Sequence, residues 1–168
     1  EREKMIFEKN NHTQPPLDQY AYILERQLKP EPRVDIIDWL RKNNITPSSM
    51  IDISDGLSSE ATHLAKASGV GIKIFEDRIP ISKDTHKTAK ELGIDASMCA
   101  LHGGEDYELL FTVPIKYHKQ IMALSDVDII GHVTDQQNIV DLIRPGGESI
   151  NLTKDGWDSF LKQNQKHI

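Results

Sequence analysis

The chain has 168 residues, 38% of them hydrophobic and 27% charged, enough for one domain with a proper core. A net charge of −6 leaves no basic footprint for nucleic acid or for an acidic membrane surface. A single cysteine, Cys99, excludes an internal disulfide framework and points to a cytoplasmic setting. No apolar run is long enough to span a membrane, and the charged start, Glu1-Arg-Glu-Lys4, has no signal-peptide core. The chain also lacks an initiating Met, so it is expected to be a piece of something longer.

Residues 1–16 are polar and carry Asn10-Asn11 and Pro15-Pro16, the composition of an extended or partly disordered lead-in. From residue 17 on, one α+β domain is expected. Leu17, Tyr20, Ala21, Leu24 and Leu28 recur at helical spacing, and Pro30 and Pro32 end that helix. A second helix is predicted over 33–43, with Val34, Ile37, Leu40 and Trp39 facing inward. A strand then runs into a helix at Met50-Ile-Asp-Ile-Ser-Asp-Gly-Leu-Ser-Ser-Glu60. Ile51 and Ile53 alternate with Asp52 and Ser54, giving one apolar face and one face of oxygens. Leu57, Ala61, Leu64 and Ala65 continue at helical spacing as far as Ser68-Gly69, a C-terminal turn.

A short strand is predicted over 70–75, a loop around Pro80, an amphipathic helix over 84–92 stopped by Gly93, and a short helix over 95–101 from an Asp95 cap. After the His102-Gly-Gly-Glu-Asp106 turn come a strand over 107–113, a helix opened by Pro114 over 115–124, and strands over 127–133 and 138–143. Pro145-Gly-Gly147 is a turn, Ile150 and Leu152 a last strand edge, and 155–161 a short terminal helix. The last two strands are close enough for a hairpin. The elements lack a strict βαβ rhythm, which favours a mixed β-sheet covered by helices on one side.

Two polar clusters stand out. Asp52, Ser54 and Asp55 sit where a strand meets a helix N-terminus, where backbone N–H groups are unsatisfied and anions are favoured. Two carboxylates three residues apart there suit a hard cation such as Mg2+, which takes oxygen ligands alongside phosphates. The plain alternative is an N-cap followed by an Asp-Gly turn. Against it, a cap needs one oxygen where three are present, and Asp52 lies in an apolar strand where an unpaired charge is costly. In the second cluster, Gly103 and Gly104 allow a bend or a close ligand approach, and Glu105 and Asp106 stand at the mouth of the strand Leu109-Leu-Phe-Thr-Val113. Its plain alternative is a glycine-rich turn with solvated acids. His63 and His102 receive no role.

Taken together, Ser49-Met-Ile-Asp-Ile-Ser-Asp-Gly-Leu-Ser-Ser59, Ser68-Gly-Val-Gly71, Ile79-Pro-Ile81 and Ala100-Leu-His-Gly-Gly-Glu-Asp-Tyr-Glu-Leu-Leu-Phe-Thr-Val-Pro114 resemble thiamine-monophosphate kinase in order and spacing. Leu24-Glu-Arg-Gln-Leu-Lys-Pro30 resembles the segment preceding this unit in the family. The Gly-Gly-Glu-Asp-Tyr-Glu-Leu string is the most specific piece. The Asp-x-Ser-Asp-Gly piece is shared with the wider aminoimidazole ribonucleotide synthetase superfamily. The resemblance implies the C-terminal α+β domain of that superfamily, and transfer of a phosphoryl group from ATP to thiamine monophosphate with Mg2+. It implies Asp52 and Asp55 as metal ligands, Ser54 toward ATP, and Glu105 and Trp157 at the thiamine substrate. No residue is implied as a covalent nucleophile.

The family's N-terminal acidic motif is absent from this chain. Residues 1–16 are therefore read as the tail of a missing N-terminal domain and 17–168 as the C-terminal domain, expected to be inactive alone and to belong to a homodimer when whole. Two alternatives stay open: another ATP-using enzyme of the superfamily, or a non-catalytic ligand-binding or dimerisation module.

Overall fold

The computed structural model describes residues 17–153. The lead-in, the terminal helix over 155–161 and Trp157 lie outside the described residues. A 3-10 turn at Asp18–Tyr20 leads into helix α1, Ala21–Leu28. Helix α2, Val34–Lys42, comes next. Its buried stripe is Ile36 and Leu40, with Ile37 and Trp39 half-buried beside it. Val34, expected to face inward, is 56% exposed. Spacing explains the difference: Ile36, Leu40 and the nearby Ile45 share one buried cluster, and Val34 at the first helical position lies off their face.

Among the described residues the strands divide between two sheets. Strand β1, Ser49–Asp52, pairs antiparallel with β3, Leu109–Thr112, as a two-stranded ribbon. Met50 lies opposite Phe111 and Asp52 opposite Leu109. The Ser49 and Thr112 hydroxyls add a cross-strand hydrogen bond of 2.7 Å. The second sheet, mixed and four-stranded, has the order β4-β2-β5-β6. It holds β2 (Gly71–Phe75), β4 (Gly131–Thr134), β5 (Val140–Ile143) and β6 (Ser149–Asn151). β2 runs parallel to β5 and antiparallel to β4, and β5 and β6 form the expected closing hairpin around the turn at Arg144–Gly147.

Helix α3, Leu57–Ser68, carries the buried stripe Leu57, Ala61, Leu64 and Ala65 and ends at left-handed Gly69. Helix α4, Lys83–Leu92, starts at a Ser82 cap and stops at Gly93. Helix α5, Ala96–His102, starts at Asp95, whose carboxylate accepts from the Ser97 N–H at 2.8 Å. The helix expected after Pro114 is a 3-10 turn, Ile115–Tyr117, and then one short helix α6, His118–Ile121. The strand expected over 127–133 is shorter than its apolar run. Val127 and Ile129 pack into one cluster and Ile130 into another, so only Gly131–Thr134 reaches the sheet.

Two apolar clusters flank the ribbon. Leu57, Ala61, Ala65, Ile74, Leu101, Val140 and Leu142 form the larger one, between α3, α5 and the four-stranded sheet. Ile36, Leu40, Ile45 and Ile121 form the other. Ile53 and Leu110 pack on the first cluster, Met50, Leu109 and Phe111 on the second. The ribbon is thus apolar on both faces. The face expected to carry oxygens holds half-buried Met50, and it becomes polar only at its end, Asp52.

Candidate active site

Beyond Asp52 the ribbon continues as two loops zipped together by main-chain bonds. The Ile53 N–H donates to Glu108 O at 2.8 Å, the Tyr107 N–H to Ile53 O at 2.8 Å, and the Glu105 N–H to Ser54 O at 2.7 Å. Glycines make this approach possible. At Gly104, with φ +62°, a Cβ would stand 2.6 Å from Ser54 O. At Gly56, with φ +115°, it would stand 2.6 Å from Leu101 O. Both glycines serve a backbone-to-backbone contact, and both adopt conformations that L residues avoid.

The acidic residues at the junction are not helix caps. Gly56 occupies the N-cap of α3, and no side chain there accepts from a first-turn N–H. Glu60 instead reaches back from the first turn of α3, and its Oε1 accepts from the Asp55 N–H at 3.3 Å. Glu60 is only 2% exposed, and its Oε2 is buried without a hydrogen-bond partner. Asp52 and Asp55 are exposed, and Ser54 is half-buried. The cost argued from an apolar strand therefore does not apply to Asp52, because the strand ends there and opens to solvent.

Glu105 stands on the facing loop, exposed, and its Oε2 accepts from the Tyr107 hydroxyl at 2.8 Å. That bond and the Glu105 charge push the Tyr107 phenol above its ordinary value, and the charges of Asp52 and Asp55 add to the effect. The two motifs, about 50 positions apart in sequence, therefore share one electrostatic environment. Behind them, Glu108 accepts from Arg26 at 2.5 Å and from Arg33 at 2.6 Å, tying α1 and the start of α2 to the ribbon. Asp106 is held above the usual carboxylate range by partial desolvation and by Glu108, with Arg26 pulling the other way.

A crevice of about 1000 Å3 opens alongside, with Glu105, Asp106, Arg26, Phe75 and Arg78 in its walls. Asp52 and Asp55 are not part of that lining. Glu105 stands in the wall of the crevice, and its partner Tyr107 feels the charges of both aspartates.

The donor chemistry fits a magnesium ion carried in with phosphates. The junction supplies two exposed carboxylates, and among the described residues no group of three or more His, Cys, Asp or Glu could cage a metal. Mg2+ is ordinarily held by one or two carboxylates, with water and substrate phosphates completing its shell. Reading the residues in sequence missed Glu60, Tyr107 and the Arg26–Glu108–Arg33 triad. Glu60 left a faint signal, an acid in the early turns of a helix able to reach back to the entering loop.

Comparison with known proteins agrees with the family resemblance. A thiamine-monophosphate kinase of Pyrococcus abyssi is 38% identical over 106 residues, 62% of this chain and 31% of its own length. One of Aquifex aeolicus is 35% identical over 85 residues, 51% of this chain and 27% of its own length. Among solved structures, AaThiL complexed with AMPPCP and TMP matches with a TM-score of 0.68 at 28% identity, over 87% of this chain and 46% of that one. The matched stretch thus spans less than a third of these curated relatives and less than half of the solved chain. Residues 18–143 match the family model described as AIR synthase related protein, C-terminal domain, and the chain belongs to that family.

Proposed function

We propose that this chain is the C-terminal domain of an ATP- and Mg2+-dependent kinase that converts thiamine monophosphate to thiamine diphosphate, the last step in making that cofactor. The observation that carries the reading is the junction of the two motif loops, where Glu105 N–H bonds to Ser54 O at 2.7 Å beside two exposed aspartates. The kinase names of the relatives and the AMPPCP and TMP of the solved neighbour support it.

Donor and acceptor are both phosphates, so two anions must be brought together at an acidic site. Asp52 and Asp55 would hold Mg2+, which when bound offsets that repulsion. Ser54 hydrogen-bonds the nucleotide. Glu105, on the crevice side, orients the thiamine part, whose ring is cationic. Trp157 offers an aromatic face to the same ring. Direct in-line transfer needs positioning and charge cancellation rather than a protein nucleophile. An N-terminal domain supplies the remaining acidic ligands and the dimer contact, and the whole enzyme works in the cytoplasm.

The test uses the full-length protein that carries this chain, with ATP, Mg2+ and thiamine monophosphate, and measures thiamine diphosphate. Turnover is expected from the full-length protein and none from the 168-residue chain alone. Asp52→Asn should lower kcat by about 100-fold, the scale of one lost electrostatic partner at a reacting phosphate. No thiamine diphosphate from the full-length protein, or an undiminished rate in Asp52→Asn, would remove the assignment. Thermal stabilisation by an aminoimidazole ribonucleotide precursor or selenide, and not by thiamine monophosphate, would direct it to another enzyme of the superfamily.

A further inference from the structure

Glu105 and Tyr107 both have left-handed backbones, with φ of 61° and 50°. Residues with side chains rarely adopt that region, and where they do the surroundings must hold them there. Here the holding groups are identified. The Glu105 N–H is fixed to Ser54 O and the Tyr107 N–H to Ile53 O, at 2.7 and 2.8 Å. The result brings both side chains together, with the Tyr107 hydroxyl donating to Glu105 Oε2 at 2.8 Å. A hydrogen bond between two exposed side chains on a free loop is worth little. This one is placed by main-chain bonds at both ends.

A phenol is protonated at neutral pH in any case, and the Glu105 bond and charge, with the charges of Asp52 and Asp55, push its ionisation higher still. It therefore acts as a neutral donor to the glutamate. We propose that Tyr107 is a positioning residue whose hydroxyl fixes the Glu105 carboxylate for recognition of the thiamine-bearing substrate. This inference rests on the function proposed above. It assigns Tyr107 no contact with the phosphates, so loss of its hydroxyl should affect one substrate and spare the other.

Tyr107→Phe removes the donor and keeps the ring. In the full-length enzyme it should raise KM for thiamine monophosphate about tenfold, the low end for a hydrogen bond to a charged group. KM for ATP and kcat should stay within about twofold, and the melting curve should be unchanged. In a Glu105→Gln background the same change should add less than about twofold, because the two residues act as a unit. A readout without turnover tests the bond itself: ultraviolet difference titration of the tyrosinate, with Tyr107→Phe identifying the signal. Glu105→Gln should move that ionisation down toward an ordinary tyrosine. Equal changes in both KM values, additive effects in the double variant, or a tyrosinate signal indifferent to Glu105 each overturn the proposal. A parent enzyme that forms no thiamine diphosphate overturns the substrate reading, and the role of the pair with it. The titration then separates that failure from a failure of the Tyr107–Glu105 bond.

Discussion

Gly104 and Gly93 offer a controlled test of how the two loops are held together. Both are left-handed, with φ of +62° and +70°, so alanine meets the same backbone penalty at each, about 1 kcal/mol. They differ in surroundings. A Cβ at Gly93 meets nothing within 4 Å, whereas at Gly104 it falls 2.6 Å from Ser54 O and 3.4 Å from Asp55 C and Cα. Relieving that contact means moving one loop by several tenths of an ångström, an overpacking cost of about 1–3 kcal/mol. The same shift strains the Glu105 N–H bond to Ser54 O, worth about 1 kcal/mol. Gly104→Ala should therefore lose about 3–5 kcal/mol and Gly93→Ala about 1 kcal/mol. Urea unfolding of the two variants, compared at constant slope, measures the difference. Equal losses would mean that the backbone contact between the loops does not hold them together.

Glu60 should behave as a buried acceptor for the entering loop. Glu60→Gln keeps an acceptor oxygen for the Asp55 N–H and should cost under about 1 kcal/mol, while Glu60→Ala loses it and should cost about 2 kcal/mol or more. An alanine variant as stable as the parent would show that the reach-back bond is inert. Asp106 gives a pH-dependent prediction. Its folded carboxyl sits above the ordinary value of 3.8, so the folded state holds the proton more tightly than the unfolded chain. The stability this contributes is complete below the ordinary value and is lost as pH rises through the raised one. Asp106→Asn should thus stabilise the chain at neutral pH and give no gain near about pH 3. A gain of the same size at both pH values would contradict the assigned cause.

Much of the local architecture is legible in the residues because its causes are local. The α3 stripe, the left-handed stops at Gly69 and Gly93, the Asp95 cap and the turn before Gly147 all arise from spacing and backbone chemistry within a few residues. The features that escaped reading depend on distant partners. Val34 and Ile36 are both apolar residues at the start of one helix, and only the Ile45 and Ile121 neighbours decide which of them is buried. Arg26 and Arg33 meet Glu108 across 82 and 75 positions, and no pattern near any of the three announces it. Glu60 looks like a solvated helix residue until α3 packs against α5 and β1 and covers it. Tyr107 sits within a string otherwise read for its glycines and acids, and its role emerges only once the left-handed backbone turns it onto Glu105.

The union of the two motifs is nevertheless a consequence of register, and register is set by the core. Met50 and Phe111 are partners that pack on one cluster, while Ile53 and Leu110 pack on the other. A slip of one residue between β1 and β3 would exchange these faces, pulling Leu110 from the larger cluster and Phe111 from the smaller. With the slip forbidden, Asp52 must lie opposite Leu109, and the chains run in opposite senses. The loop leaving Asp52 is then compelled to lie beside the loop entering Leu109. Ser54, Asp55 and Gly56 on one side, and Gly103 through Tyr107 on the other, are brought together by the apolar side chains of the strands next to them. The half-buried apolar residues of the ribbon should therefore control the spacing of the aspartates and Glu105 as strictly as the loop glycines do.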